Sequence, residues 1–167
     1  MKTIKDIDVS NKRVLVRVDF NVPQDKKGNI TDTFRIRSAL PTINYLLERD
    51  AKIILISHLG RPKDKEREFS LKPVASELEK LLKKKVWFLS DCAGKQVEDT
   101  VNSMRSGQVI LLENLRYYDG EKGNDLDFAK ELAKLGEIYI NDAFSVAHRE
   151  HASVVQLPVL LSSAAGL

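Results

Sequence analysis

The sequence predicts an α/β fold: an open parallel β-sheet, Rossmann-like, with helices on both faces. Short runs that are apolar throughout alternate with segments whose apolar residues recur at helical spacing. Polar and charged side chains gather just past the carboxyl ends of those runs, where an open α/β sheet builds its sites. No internal repeat or low-complexity linker interrupts the pattern.

The first strand is Val14–Val18, a β-branched run inside Arg13-Val-Leu-Val-Arg-Val-Asp-Phe-Asn-Val-Pro23. Asp19 and Asn21 fall just beyond it, and Pro23 turns the chain out of the sheet. A polar turn, Gln24–Asn29, precedes Ile30–Thr33, which offers helix caps. The helix that follows carries Ile36, Ala39, Leu40, Ile43, Leu46 and Leu47, with Pro41 set to kink it or limit its first turn. Ile53–Ile56 is the second strand and runs into Ser57-His-Leu-Gly-Arg-Pro62.

Lys63–Glu68 reads as an exposed loop. The next helix has Val74, Leu78, Leu81 and Leu82 on one face and a Glu79–Lys83 pair on the other. Val86–Leu89 is the third strand, and Val97, Val101 and Met104 mark a helix over Lys95–Arg105. Val109–Leu112 is the fourth strand, ending in Glu113-Asn-Leu-Arg-Tyr-Tyr118. A helix with Phe128, Leu132 and Leu135 stops at Gly136, and Ile138–Ile140 is the fifth strand. The mostly apolar stretch Val154–Leu167 reads as an uncovered surface that wants a partner, so the chain is taken as a piece of a longer protein.

Composition narrows the function classes. The 167 residues suffice for one domain with a full core, and 43% apolar with 31% charged content is that of a globular protein. A net charge of +3 is too mild to argue for nucleic acid. One cysteine, Cys92, excludes an internal disulfide and fits a reducing compartment. The N-terminal residues have no apolar core of a signal peptide, and no run reaches the length of a membrane span. The expected location is the cytoplasm, with no membrane partner.

The strand ends then deliver a constellation. The first gives Asp19 and Asn21, the second His58 and Arg61, the fourth Arg116, and the fifth leads through Asn141 and Asp142 to His148, Arg149 and His151. Arg35 joins from the first turn of a helix, where a cation opposes the macrodipole at a cost of about 0.3–1 kcal/mol. Two guanidiniums held ~8 Å apart repel by roughly 2 kcal/mol at an effective dielectric near 20, a strain that an anion relieves. Arginine's planar fork suits phosphate and carboxylate, while Asp19 and Asn21 suit a neutral hydroxyl. The implied ligand is small, multiply anionic and hydroxylated.

Singly, these residues have plainer readings. A loop arginine is ordinarily a solvated surface group. His148 and His151 read as structural, and no metal site is expected, because no acidic or Cys partner stands at ligand spacing. Arg17, inside the first strand, reads as the partner of a buried carboxylate, and Lys83–Lys85 as a helix end complementing the dipole. Cys92 shows no sign of an activated nucleophile. The common position after strands is what single accidents do not explain. Neither a G-x-x-x-x-G-K-[ST] loop nor G-x-G-x-x-G occurs, so any nucleotide binds elsewhere.

Five blocks resemble the phosphoglycerate kinase family and occur in its order: Arg13–Pro23, Arg35-Ile-Arg-Ser-Ala-Leu-Pro-Thr-Ile43, Ser57–Pro62, Leu111-Leu-Glu-Asn-Leu-Arg-Tyr117 and Asn141-Asp-Ala-Phe-Ser-Val-Ala-His-Arg149. The resemblance implies that residues 1–167 are the N-terminal, substrate-binding domain, without the C-terminal nucleotide-binding domain. It implies that Asp19 and Asn21 contact the hydroxyl and carboxylate region of 3-phosphoglycerate, and that His58, Arg61, Arg116 and Arg149 hold its phosphate. Arg35 would be the catalytic cation beside the phosphoryl group exchanged between 1,3-bisphosphoglycerate and ADP in glycolysis. Mg-ADP or Mg-ATP would bind only the missing domain, and the full-length enzyme would be a monomer that closes about a hinge. Ser145 stands where many members have Gly. Two alternatives remain: a non-enzymatic anion-binding fragment, and a haloacid-dehalogenase-like phosphatase using Asp19, Ser57 and Asp142. The second lacks its expected aspartate, because Asn21 stands there.

Overall fold

The computed structural model describes residues 2–167; Met1, the first residue of the expected domain, lies outside them. Six strands form one sheet: β1 (Arg13–Arg17), β2 (Lys52–Ile56), β3 (Val86–Leu89), β4 (Val109–Leu112), β5 (Ile138–Asn141) and β6 (Ser162–Ala165). Their order is β3-β4-β2-β1-β5-β6 and every pairing is parallel. The two central strands are therefore β2 and β1, and both are enclosed after their first residue. The expected α/β class holds.

Helices cover both faces because side chains alternate along each strand. Val14, Val16, Ile53, Leu55, Val109 and Leu111 pack beneath α2 (Leu40–Glu48) and α3 (Lys72–Leu82) through Ile43, Leu46, Val74 and Leu78. Leu15, Ile54, Ile110 and Tyr139 face the other way, against α4 (Lys95–Asn102) and α6 (Leu126–Ala133) through Val97, Val101 and Leu132. Gly136 lets the chain entering β5 pass close over the first strand. A Cβ there would lie 2.9 Å from Leu15 Cγ.

Several local expectations need correction. The first helix is two pieces, α1 (Phe34–Ser38) and α2, because Pro41 sits in the first turn of the second, where its missing N–H costs nothing. Asp32 Oδ1 accepts from Phe34 N at 2.8 Å, supplying the first piece with an acceptor. The Glu79–Lys83 pair does not form. Lys83 ends α3 in the left-handed conformation, and Glu79 instead accepts from Val86 N and pairs with Lys85 at 3.7 Å. The helix expected over Lys95–Arg105 ends at Asn102.

The final stretch, expected to be uncovered, is covered only in part: Val155, Val159 and Leu167 stay exposed. It folds as α7 (Ala152–Val155), α8 (Leu157–Leu160) and β6, which pairs with Ile138–Asn141. Val154, Leu157 and Ala164 are buried, while Val159 remains 81% exposed. One further short helix, α5 (Asp119–Lys122), lies in the loop after β4. No helix is long and apolar enough to cross a membrane among the described residues.

Candidate anion-binding site

The ends of β1, β2, β4 and β5 lie side by side, so the residues that follow them meet at one edge of the sheet. Hydrogen bonds tie the pieces together. Arg35 Nη1 donates to Asn21 O at 2.7 Å and lies 3.4 Å from Asp19 Oδ1. Asn21 Oδ1 accepts from Gly60 N at 2.9 Å, and Gly60 O accepts from Arg116 Nη1 at 2.9 Å. Ser145 Oγ donates to Asp19 Oδ2 at 2.6 Å, bringing in the segment after β5. A glycine is needed at the middle of this relay. Gly60 has φ +64°, and a Cβ on it would lie 2.5 Å from the Phe69 ring.

These bonds decide which atoms remain for a ligand. With its Oδ1 committed to Gly60, Asn21 presents its Nδ2 as a donor. Asp19 Oδ1 takes Asn21 N as well as Arg35, while Oδ2 takes one hydrogen bond and keeps a lone pair for a hydroxyl. Among the described residues, Arg61, Arg116 and Arg149 have no carboxylate within 4 Å of their guanidiniums. Arg116 Nε is enclosed with no partner at all. Burial lowers the pKa of Arg116, and the nearby charges of Arg149, Arg17 and Arg61 lower it further. Cations crowded this way favour a bound anion.

At this edge the pKa values of His58 and His151 are both lowered. His58 is buried, and its pKa is pushed down to about 2 by burial, then by Arg17 and Arg116. His151 is pushed down by burial and by the same arginines, with Glu121 opposing, and its Nδ1 is enclosed without a partner. His151, one of the residues expected after the fifth strand and structural when read singly, lies within the electrostatic reach of Arg116, Arg149 and Arg17. The signal was its position after the fifth strand, three residues past His148, which is itself exposed. Arg17 has no carboxylate within 4 Å; Ser153 stands between it and Glu121. The expectation of a direct buried pair is corrected to a bridged one.

Asp142 is set apart from the arginines. Its Oδ1 accepts from Thr42 Oγ1 at 3.0 Å, and Thr42 Oγ1 accepts from Leu167 N at 2.9 Å. Burial pushes the Asp142 carboxyl up to about 7, which Thr42 partly opposes. Among the described residues no group of three His, Cys, Asp or Glu side chains is placed to hold a metal ion. Cys92 is buried, and burial raises its thiol pKa well above the usual value, so it is no ready nucleophile.

Strand tips that present cations without carboxylate partners, an amide donor and one receptive carboxylate offer a small anion complementary charge and hydrogen bonds. Comparison with known proteins gives the family. The phosphoglycerate kinase family model matches residues 4–167. The chain is 54% identical over 163 residues to the phosphoglycerate kinase of Aquifex aeolicus, covering 98% of this chain and 41% of that protein. The Coprothermobacter proteolyticus enzyme is 54% identical over 167 residues, with 99% and 42% covered. Among solved structures, phosphoglycerate kinase from Pyrococcus horikoshii superposes with a TM-score of 0.90 at 32% identity, covering 99% of this chain and 42% of that one. The Coxiella burnetii structure gives 0.86 at 39% identity, with 98% and 40% covered. This chain belongs to the phosphoglycerate kinase family and spans about two fifths of the length of these relatives.

Proposed function

We propose that this chain supplies the 3-phosphoglycerate site of a two-domain phosphoglycerate kinase, and that phosphoryl exchange between 1,3-bisphosphoglycerate and ADP requires a second domain outside it. The observation that carries the reading is the unpaired guanidinium cluster, Arg61, Arg116 and Arg149, gathered at the edge where Asp19 and Asn21 keep one acceptor and one donor. Arg116 and Arg149 bind the phosphate that stays on the substrate, with Arg61 and the His58 imidazole beside them. The hydroxyl of the glycerate donates to Asp19 Oδ2, and its carboxylate accepts from Asn21 Nδ2. Arg35, held against Asn21 O, lies toward the carboxyl end and offsets charge on the transferred phosphoryl group.

Mg-ADP or Mg-ATP, bound by the second domain, supplies the acceptor or donor phosphate. The residues of this chain orient the acyl phosphate, neutralise its charge and, on closure, help exclude water. Nothing here requires a covalent nucleophile. The remaining expectations belong to the same reading: a cytoplasmic, glycolytic, monomeric full-length enzyme that uses neither nucleic acid nor membrane.

Thermal melting tests the site. At a hundred times its dissociation constant, 3-phosphoglycerate should add ~2.7 kcal/mol, and each kcal/mol raises the Tm of a domain this size by about 2–4 °C. Arg116→Ala should abolish the rise. No shift with 3-phosphoglycerate, or an equal shift from sulfate that survives Arg116→Ala, overturns the reading. Kinase turnover by the 167-residue chain alone would overturn its half-enzyme part. The phosphatase alternative is not favoured, and it predicts magnesium-dependent ester hydrolysis lost in Asp19→Asn.

A further inference from the structure

A wholly buried arginine in a central strand of a parallel sheet needs a reason. Arg17 is 0% exposed and shares its sheet face with Leu15. Its guanidinium makes three contacts: Nε to Ser153 Oγ at 3.0 Å, Nη1 to Val18 O at 2.7 Å and Nη2 to His58 Nδ1 at 2.8 Å. Guanidinium can only donate, so His58 Nδ1 must present a lone pair, and a neutral ring then carries its proton on Nε2.

The same polarity runs back through the other end. Ser153 Oγ accepts from Arg17, so its own proton goes to Glu121 Oε2; its backbone N donates to Glu121 Oε1 at 2.8 Å. Glu121 is also 0% exposed. A buried Arg and carboxylate frequently pair directly through the fork. Interposing Ser153 instead leaves one edge of the guanidinium for the imidazole. Four separated segments are joined this way: α5, α7, β1 and the turn after β2.

We infer that Glu121, Ser153 and Arg17 are positioning residues, a buried relay that fixes His58 in the tautomer whose Nε2–H donates to a bound phosphate oxygen. His58 Nε2 makes no hydrogen bond among the described residues, and it is not among their enclosed, unpartnered atoms. The groups that face the ring are Arg17 from β1, Arg116 from the turn after β4, and Arg149 and His151 from the segment after β5. All of them oppose a proton on Nδ1, so the ring donates without changing charge. The donation to phosphate rests on the proposed function; the fixed tautomer does not.

Ring nitrogen NMR of the ligand-free chain, with 15N-labelled histidine, reads the tautomer. The chain has three histidines, and His58 is assigned by the signals lost in His58→Gln. Between about pH 5 and pH 8, where a free imidazole titrates, His58 should keep an unprotonated Nδ1 and a protonated Nε2. Arg17→Met should yield a mixture of tautomers that titrates. That variant leaves Glu121 buried without its counter-charge and can unfold, so Ser153→Ala is the second arm. It should admit the minor tautomer and weaken 3-phosphoglycerate binding about tenfold, the loss of roughly one charge-assisted hydrogen bond. Ser153→Thr should restore both readouts. A protonated Nδ1 in the parent, or a Ser153→Ala variant with the parent's ring signals and affinity, overturns the relay. A fixed tautomer in a chain that does not bind 3-phosphoglycerate supports the relay and counts against the functional reading instead.

Discussion

Replacing Asp142 with asparagine should stabilise the protein at alkaline pH and do nothing at acid pH. The carboxyl sits beneath the chain's last residues: Gly166 passes so close that a Cβ there would overlap Asp142, and Thr42 Oγ1 donates to it at 3.0 Å. Burial raises its pKa from the ordinary 3.8 to about 7. The folded state thus holds this proton more tightly than the unfolded state does, and stability falls as pH rises between those two values. It is flat below about pH 4 and again above about pH 7. At ~1.4 kcal/mol per pH unit the ceiling is about 4 kcal/mol, and partial solvent access reduces the effect to about 2 kcal/mol. Asparagine keeps the acceptor for Thr42 without the charge. Urea unfolding of parent and Asp142→Asn across pH should therefore give curves that coincide near acid pH and diverge to about 2 kcal/mol at mild alkali, or roughly 4–8 °C in Tm. A constant offset at all pH values, or no offset at alkaline pH, would refute the reasoning.

Other perturbations read other parts of the molecule. His58, with its pKa held far below 6.5, contributes stability above that value and loses it as pH falls toward about 2. His58→Gln should therefore gain on the parent by about 1–2 kcal/mol between neutrality and mild acid in the same urea series. Arg149→Ala should leave the ligand-free Tm unchanged or slightly higher, since an exposed guanidinium without a carboxylate partner contributes little, yet calorimetry should show 3-phosphoglycerate binding lost. Gly60→Ala should cost about 1–3 kcal/mol for its positive φ and the Phe69 collision, and should weaken the ligand as well, because Asn21 and Arg116 both hang from that residue. Leu15→Ala, in the centre of the sheet, should cost about 2–5 kcal/mol in denaturant unfolding without a specific effect on ligand.

Five strands were legible because each is built on three or more consecutive apolar residues, and the placement of Asp19, Asn21, His58, Arg61, Arg116 and Arg149 after them followed from parallel topology. The sixth strand was not. Ser-Ser-Ala-Ala has no strand propensity of its own and is extended only because Ile138–Asn141 offers it a free edge. Lys83 could not be seen to leave the helix, since a left-handed cap at a lysine has no sequence mark. The carboxylate partner of Arg17 was expected in kind but not in geometry. Glu121 lies 104 positions along the chain and reaches it only through Ser153, and nothing in the spacing of those three residues encodes the bridge. Tertiary contacts set each of these features, and tertiary contacts are what local pattern does not carry.

The relay through Gly60 has a consequence for how the protein comes into being. Asn21, Gly60 and Arg116 are joined by two hydrogen bonds that span 39 and 56 positions of the chain, and Ser145 reaches Asp19 across 126. A ligand gripping these atoms would clasp segments from residue 19 to residue 145 at once. Its grip would then be an all-or-none gauge of assembly, absent from any intermediate in which β5 has yet to dock, and metabolite supplied during refolding would act as a template that rewards only the finished sheet.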